Sequence, residues 1–456
     1  MGAINANTRK TFNERTHEGA VAARMTPIQA LRRSVLSCML WEGEFYEDGV
    51  TIADRIQALA QEVPVDSLAA LAIEAREVAK LRHAPLLLLV VLAKRGSGSA
   101  LVSSTIERVI QRADELSEFL ALYWAMNPPR DARRKAPLSA QVKKGLAAAF
   151  VKFDPYQIAK YDRAKDVRLR DVLFLAHVKP KSAEQGELLG RLVENALEAP
   201  DTWEVALSGG ADKKETFERL LRENKLGYLA LLRNLRNMEQ AGVDRTLVNA
   251  AIRARKGADR VLPFRYTAAA RYAPSFEPAL DQALVESIKA AQPLKGSTVV
   301  LVDVSGSMNA RLSAKSDLTR MDAGATLASI VPGDDVRVFT FSNALVETPA
   351  RKGMAGVDAI RKSQPWHGTA LASAIRAINE NVQADRLIVI TDEQAQAENR
   401  GMPAPKASRA YMINVASAKN GVGYGNGWTH IDGFSENVLR YIAESEAIQL
   451  DGVTAD

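Results

Sequence analysis

Cysteine is almost absent from this sequence, with Cys38 the single one in 456 residues. No intrachain disulfide can form, a zinc site built from several cysteines is excluded, and a reducing compartment is implied. Long apolar runs are lacking as well. The longest, Pro85 to Ala93, lies between His83 and Lys94 and falls short of the ~20 residues that a membrane-spanning helix needs. The first thirty residues carry Arg9, Lys10, Glu14, Arg15 and Glu18 without the apolar stretch of a secretory signal, so a cytoplasmic protein with no membrane partner is expected. No fixed period marks a named repeat. The glycine-rich stretch Gly421 to Gly427 has neither the spacing nor the following helix of a dinucleotide-binding loop, and reads as a flexible loop.

What is present suits folded domains. Hydrophobic residues make up 47% and charged residues 25% of the chain, which excludes a disordered or fibrous protein and leaves room for two or three cores. The net charge of +6 is uneven: residues 1–295 carry +9 and residues 296–456 carry −3. Between Arg130 and Pro180 stand thirteen Lys and Arg against five Asp. Such a run can be a solvated helix face, but the excess is more than intrahelical pairing explains, and it points to a polyanionic partner.

From about Ile28 to Ser287 apolar residues recur at three and four, as in Ile106, Val109, Ile110 and in Leu231, Leu235, Met238, the pattern of amphipathic helices. Breaks at Gly96 to Gly98, Asn127 to Pro129, Lys179 to Lys181, Ser208 to Gly210 and Gly242 divide the region into helical hairpins. The pattern changes after the linker Gln292 to Gly296. Ser297 to Val302, Val336 to Phe341, Arg386 to Ile390 and Tyr411 to Val415 read as buried strands. Helices alternate with them, around Leu318, Met321 and Ala325, around Leu371, Ile375 and Ile378, and around Val438, Leu439 and Ile442 behind Ser435 as N-cap. The expected architecture is a multidomain α plus α/β chain, with a helical-repeat domain over residues 1–295 and a doubly wound parallel sheet over residues 296–456.

The first strand ends in Asp303-Val304-Ser305-Gly306-Ser307-Met308, so three oxygen side chains leave its C-terminal end together. Open α/β sheets place ligands at that edge. A hard divalent cation such as Mg2+ takes six oxygens and keeps waters, which makes this loop half a site. Thr369 and Asp392, at two other loops, complete a candidate set. The alternative is that Asp303 and Ser305 merely cap backbone at a sharp turn. This pattern resembles the metal-ion-dependent adhesion site of von Willebrand factor A domains. The resemblance implies that Ser305, Ser307 and Thr369 bind the ion directly, that Asp303 and Asp392 act largely through water, and that one position is left for an acidic partner.

Several helical segments resemble the Ro family of RNA-binding proteins, whose helical module is called TROVE. They are Lys160-Tyr161, Leu173-Phe174-Leu175-Ala176-His177-Val178-Lys179-Pro180, the run Leu229 to Leu235, and Leu262-Pro263-Phe264-Arg265, with Asp432-Gly433-Phe434 near the end. The resemblance implies HEAT-like repeats closed into a ring, noncatalytic binding of small Y-type RNAs on an outer face, and capture of single-stranded 3′ ends of misfolded RNAs through the central hole. It also implies a role in RNA quality control alongside an exoribonuclease such as polynucleotide phosphorylase. Lys160, His177 and Lys179 match positions of RNA contact, with Arg163, Lys165, Arg168, Arg170, Lys143 and Lys144 as further candidates on the same basic stretch. His177 is alternatively a buried histidine that positions the following turn. The chain departs from the family at Ala147 and Ala148, where basic residues are usual, and at His367 and Ala370 beside Thr369. Two other functions remain: a scaffold whose metal site docks an acidic protein partner, and a metal-dependent nuclease with Glu393 as the one nearby carboxylate left to act as base.

Overall fold

The computed structural model describes residues 14–37, 49–128, 135–162, 166–289, 293–312, 317–398 and 401–453. Arg130, Arg133, Arg134, Arg163 and Lys165 of the basic segment, and Gln292 of the linker, lie outside the described residues.

Sixteen α-helices come first among the described residues. They are α1 (Pro27–Leu36), α2 (Gly49–Glu62), α3 (Val65–Glu77), α4 (His83–Arg95), α5 (Ala100–Val109) and α6 (Ala113–Met126). Next come α7 (Ala140–Phe150), α8 (Pro155–Tyr161), α9 (Leu169–Ala176), α10 (Ala183–Val193) and α11 (Trp203–Ser208). The series ends with α12 (Lys213–Arg222), α13 (Tyr228–Gln240), α14 (Arg245–Ala254), α15 (Phe264–Tyr272) and α16 (Glu277–Glu286). Local chemistry sets many of the starts. Ser99, Ser139, Ser182 and Thr202 each accept a backbone N–H of the first turn, and Asp154 does so ahead of Pro155 at the first helical position. The longest apolar run of the sequence proves to be α4, with every residue from Ala84 to Ala93 buried. A helix apolar all round sits inside a core.

The sheet contains β1 (Thr298–Asp303), β2 (Val336–Phe341), β3 (Leu345–Thr348), β4 (Arg386–Thr391), β5 (Arg409–Asn414) and β6 (Thr429–Asp432), in the order β3-β2-β1-β4-β5-β6. Only β3 runs antiparallel, at the edge; the other pairings are parallel. Helices α17 (Arg320–Ser329), α18 (Gly353–Arg361), α19 (Leu371–Asn381) and α20 (Asn437–Val453) cover it. Ser435 Oγ accepts the backbone N–H of Asn437 at 3.1 Å, the capping role its position suggested. Val300, Val302, Ile388 and Ile390 face one side with α17 and α18, while Val299, Leu301, Leu387 and Val389 face the other with α19. Burial on both faces explains why these strands read as unbroken β-branched and aliphatic runs.

The helical array closes onto the α/β domain at both ends. At one end α1 meets β6, and Arg33 Nε donates to Ala418 O at 2.6 Å. At the other, α15 packs on α17 and α16 on α18. Although helix gives way to strand between α16 and β1, one apolar core runs from Phe217 and Met238 through Phe276 and Leu284 to Val300, Leu327 and Ile390. Asp432-Gly433-Phe434 sits at the closure. The Phe434 ring meets Phe264 edge-on, centroids 5.7 Å apart, and Asn437 Nδ2 donates to Val78 O.

Candidate nucleic-acid interface and metal centre

Closure leaves a cavity of about 620 Å³ between the two halves of the array. One wall comes from the α3–α4 turn, from Gln111 and Arg112 just before α6, and from α8; the other comes from the start of α13, from Gly257 to Leu262, and from Arg265 of α15. Arg76, Lys80, Arg82, Arg112, Lys160, Arg260 and Arg265 line it together with Tyr156, Tyr161 and Tyr228, and no Asp or Glu does. Carboxylates stand behind part of this surface. Arg76 pairs with Glu115 at 2.6 Å, Arg82 with Asp114 and Glu118 at 2.7 Å, and Arg112 with Asp114 at 3.0 Å. These pairs hold the guanidinium planes in place. Arg112 lies over the Tyr161 ring at 4.8 Å, and the Lys160 ammonium stands 5.5 Å from the Tyr156 ring and 5.9 Å from that of Tyr161. Interleaved aromatic rings and cations suit unpaired nucleotides, whose bases stack while their phosphates are neutralised.

Of the candidates from sequence, Lys160 lines this cavity and the others do not. Lys143 and Lys144 are on α7, Lys144 exposed. Arg168 caps the start of α9 and pairs with Asp162 at 3.1 Å. Arg170 is half-buried on α9. His177 ends that helix in the left-handed conformation at φ 54° and is exposed, with Lys179 exposed beside it. The alternative of a buried His177 is therefore set aside. What sequence reading missed are the cavity residues from Arg76 to Arg112 and from Tyr228 to Arg265, which folding alone brings opposite Lys160.

The oxygen-rich loops meet where the sheet order reverses, between β1 and β4, the crevice in which such sheets bind ligands. Asp303 ends β1 and Asp392 follows β4, both fully buried. Asp303 accepts from Ser305 N at 2.9 Å and Thr391 Oγ1 at 2.6 Å. The Ser305 and Ser307 hydroxyls are 3.1 Å apart. Gly306 N donates to His367 O at 2.8 Å, which holds the loop bearing Thr369 against the first. Burial, and then the neighbouring Asp392, push the Asp303 carboxyl up to about 7. The Arg320 guanidinium, also buried, lies 3.5 Å from Asp392. Two buried carboxylates against one guanidinium, with three hydroxyls at hand, make a hard-oxygen donor set that fits a divalent cation such as Mg2+. Among the described residues no group of three His, Cys, Asp or Glu gathers to hold a metal, so hydroxyls and water would supply the balance.

Glu393, next to Asp392, faces other work. At φ 59° it is fully buried beside Arg33 of α1 (3.2 Å) and hydrogen-bonded to His430. Its Oε2 accepts the N–H groups of Val422 and Gly423 at 2.8 and 3.1 Å. Burial raises its pKa, but His430 and Arg33 outweigh that and hold the carboxylate at about 2. A carboxylate so held makes no general base near neutrality. The glycine-rich stretch expected to be a flexible loop is the other half of this cluster: a Cβ on Gly421 would fall 2.1 Å from Glu393 Oε2, and one on Gly423 2.5 Å from Met412 Cγ. Glycine is what lets the backbone reach the buried carboxylate.

Residues 194–266 match the TROVE domain, and residues 298–394 match the von Willebrand factor type A domain. The crystal structure of the Deinococcus radiodurans RO (RSR) protein is similar, with a TM-score of 0.56 at 18% identity, over 92% of this chain and 100% of that one. The chain shares its fold with that Ro protein, and the two segments match the two domain models. No curated protein sequence matches it. The TROVE match covers the second wall of the cavity, from Gly227 to Arg265, and the type A match covers all five candidate metal ligands. No helix among the described residues is long and apolar enough to cross a membrane.

Proposed function

We propose that this Ro-type protein is a noncatalytic RNA-binding protein that takes the single-stranded 3′ ends of misfolded RNAs into the cavity between its helical halves. The observation that carries the reading is the cavity's lining of seven cations and three tyrosines with no carboxylate. A volume within the ~300–1,000 Å³ typical of enclosed ligand sites admits an unpaired base and excludes a duplex, so selection is by strandedness rather than sequence. On the outside, Lys144, His177 and Lys179, with Arg170 and Lys143, form a second basic surface for structured small RNAs of the Y type. At the sheet edge, Asp303, Ser305, Ser307, Thr369 and Asp392 would hold Mg2+, which supplies a cationic docking point for an acidic group of a protein partner such as an exoribonuclease. The reading places the protein in RNA quality control. Lys160→Glu combined with Tyr156→Ala tests it. Loss of binding to a tailed RNA hairpin, with unchanged thermal stability, is expected; unchanged affinity at moderate salt overturns the reading.

A further inference from the structure

A second cavity, of about 330 Å³, lies between α13 and α15 and reaches Asp317 and Leu318 of the α/β domain. Leu229 and Arg265 line both this cavity and the one described above, so the two adjoin. Its cations are Arg233, Arg236, Arg265 and Arg271. Arg271 is committed to the buried Asp322, with one contact at 2.9 Å. Arg233 and Arg236 are not: both are exposed, and among the described residues neither takes part in an ion pair or side-chain hydrogen bond. They stand at i and i+3 on α13, on the face away from the buried Leu231, Leu235 and Met238. Like charges so spaced repel each other and weaken a helix. The one carboxylate in the lining, Asp317, is hydrogen-bonded to the Tyr272 hydroxyl and lies 3.9 Å from Arg311.

Uncompensated guanidinium groups in a groove that adjoins the proposed RNA cavity match one ligand chemistry, a phosphodiester backbone, since the planar fork binds phosphate oxygens in pairs. We infer that the α13–α15 groove holds the phosphates of the tail nucleotides that pass beyond the cavity, with Arg233 and Arg236 as the contacts. This deepens the proposed function and rests on it. The half-exposed Tyr272 at the far end offers a ring to a base. The tail's free end is thereby led toward Leu318, on the segment that follows the metal loop.

The test uses the full chain, RNA hairpins with 3′ tails of increasing length, and the double variant R233E/R236E, alongside R233Q/R236Q, which removes the charges without reversing them. Neither variant should melt below the wild-type protein, because the two side chains are exposed and unpaired, and R233Q/R236Q also relieves their mutual repulsion. Wild-type affinity should rise with tail length, while the variants should bind short tails normally and lose the gain from long ones. Two single-strand phosphate contacts, at a salt slope of about 0.7 each, amount to about tenfold at ~0.15 M salt. For long tails the slope of log K against log salt should fall by about 1.4 in R233Q/R236Q. Wild-type binding at every tail length in both variants overturns the groove assignment, as does an equal loss for short and long tails. Displacement of polyglutamate, with RNA binding untouched, assigns the groove to an acidic protein instead. A wild-type protein that ignores tails altogether refutes the cavity reading itself, an outcome distinct from these.

Discussion

Replacing Glu393 by Gln removes one charge from the buried cluster that fastens α1 to the α/β domain. The variant keeps an oxygen for the N–H groups of Val422 and Gly423. It leaves Arg33, which is fully buried, with the carbonyls of Ala418 (2.6 Å) and Asn420 (3.0 Å) and, in place of the paired carboxylate, only the weaker attraction of Asp432. Removing one partner of a buried pair costs about 3–5 kcal/mol. The titration gives a similar figure by another route: a carboxyl moved from 4.5 to about 2 corresponds to about 3 kcal/mol. The sign follows from the direction. Because the folded pKa of Glu393 is depressed, its contribution is complete above about pH 4.5 and is lost as pH falls toward 2. His430 works the other way. Burial lowers its pKa, but Glu393 and Asp432 more than offset this and raise it above 6.5, so its contribution is complete below that value and fades as pH rises through the folded pKa. Urea denaturation at pH 6 should show Glu393→Gln less stable by about 3 kcal/mol, with a smaller deficit at pH 3. Hydrogen exchange should quicken in α1 and in residues 418–423. A loss under about 1 kcal/mol, or one equally large when Arg33 is already Met, would falsify the claim that this pair closes the array.

Other consequences follow from the same geometry. Gly421→Ala should destabilise by at least about 1–3 kcal/mol, because its Cβ meets both Glu393 and Arg33; a neutral effect in thermal melts would show that the loop yields. Ser305→Ala with Asp392→Ala should abolish stabilisation by magnesium, read as a shift of Tm with added ion, and leave RNA affinity largely intact; an equal loss of RNA binding would show the two domains to be energetically coupled. Tyr156→Ala alone should weaken binding of a tailed RNA by about 1–3 kcal/mol, the contribution of one stacked base, with little change in salt dependence; a fall in slope without loss of affinity contradicts the stacking role.

The chain's organisation was legible wherever local pattern and burial agree. Thr298–Val302 and Arg386–Ile390 are buried on both faces and so spell themselves out as apolar runs. By contrast β3 is a four-residue edge strand with one buried side chain, and β6 reads Thr-His-Ile-Asp with one likewise; neither has a hydrophobic run to detect. Helix α18 begins at Gly353 with φ 65°, a residue that reads as a break. The oxygen-rich loops at the sheet's C-terminal edge were visible because three of the five candidate ligands are close neighbours in sequence. The cavity was not, since its walls come from residues 76–84, 111–112, 156–161, 227–230 and 257–265, and several of its cations are hidden among arginines that elsewhere serve only as ion-pair partners. Basic density pointed instead to residues 130–180, of which the cavity uses Tyr156, Gln157, Lys160 and Tyr161. Glu393 stood out only as a carboxylate beside Asp392, and the glycines from Gly421 read as a flexible loop, because the Arg33 and His430 that hold Glu393 come from distant parts of the chain.

The central claim is that a single strand enters the cavity between the helical halves. It is tested most directly by binding the purified protein to one RNA hairpin with and without a single-stranded 3′ tail, across a salt series and with chelator present. The account predicts tight binding that depends on the tail, weakens steeply with salt and survives chelation. Equal affinity for the blunt and tailed hairpins would contradict it.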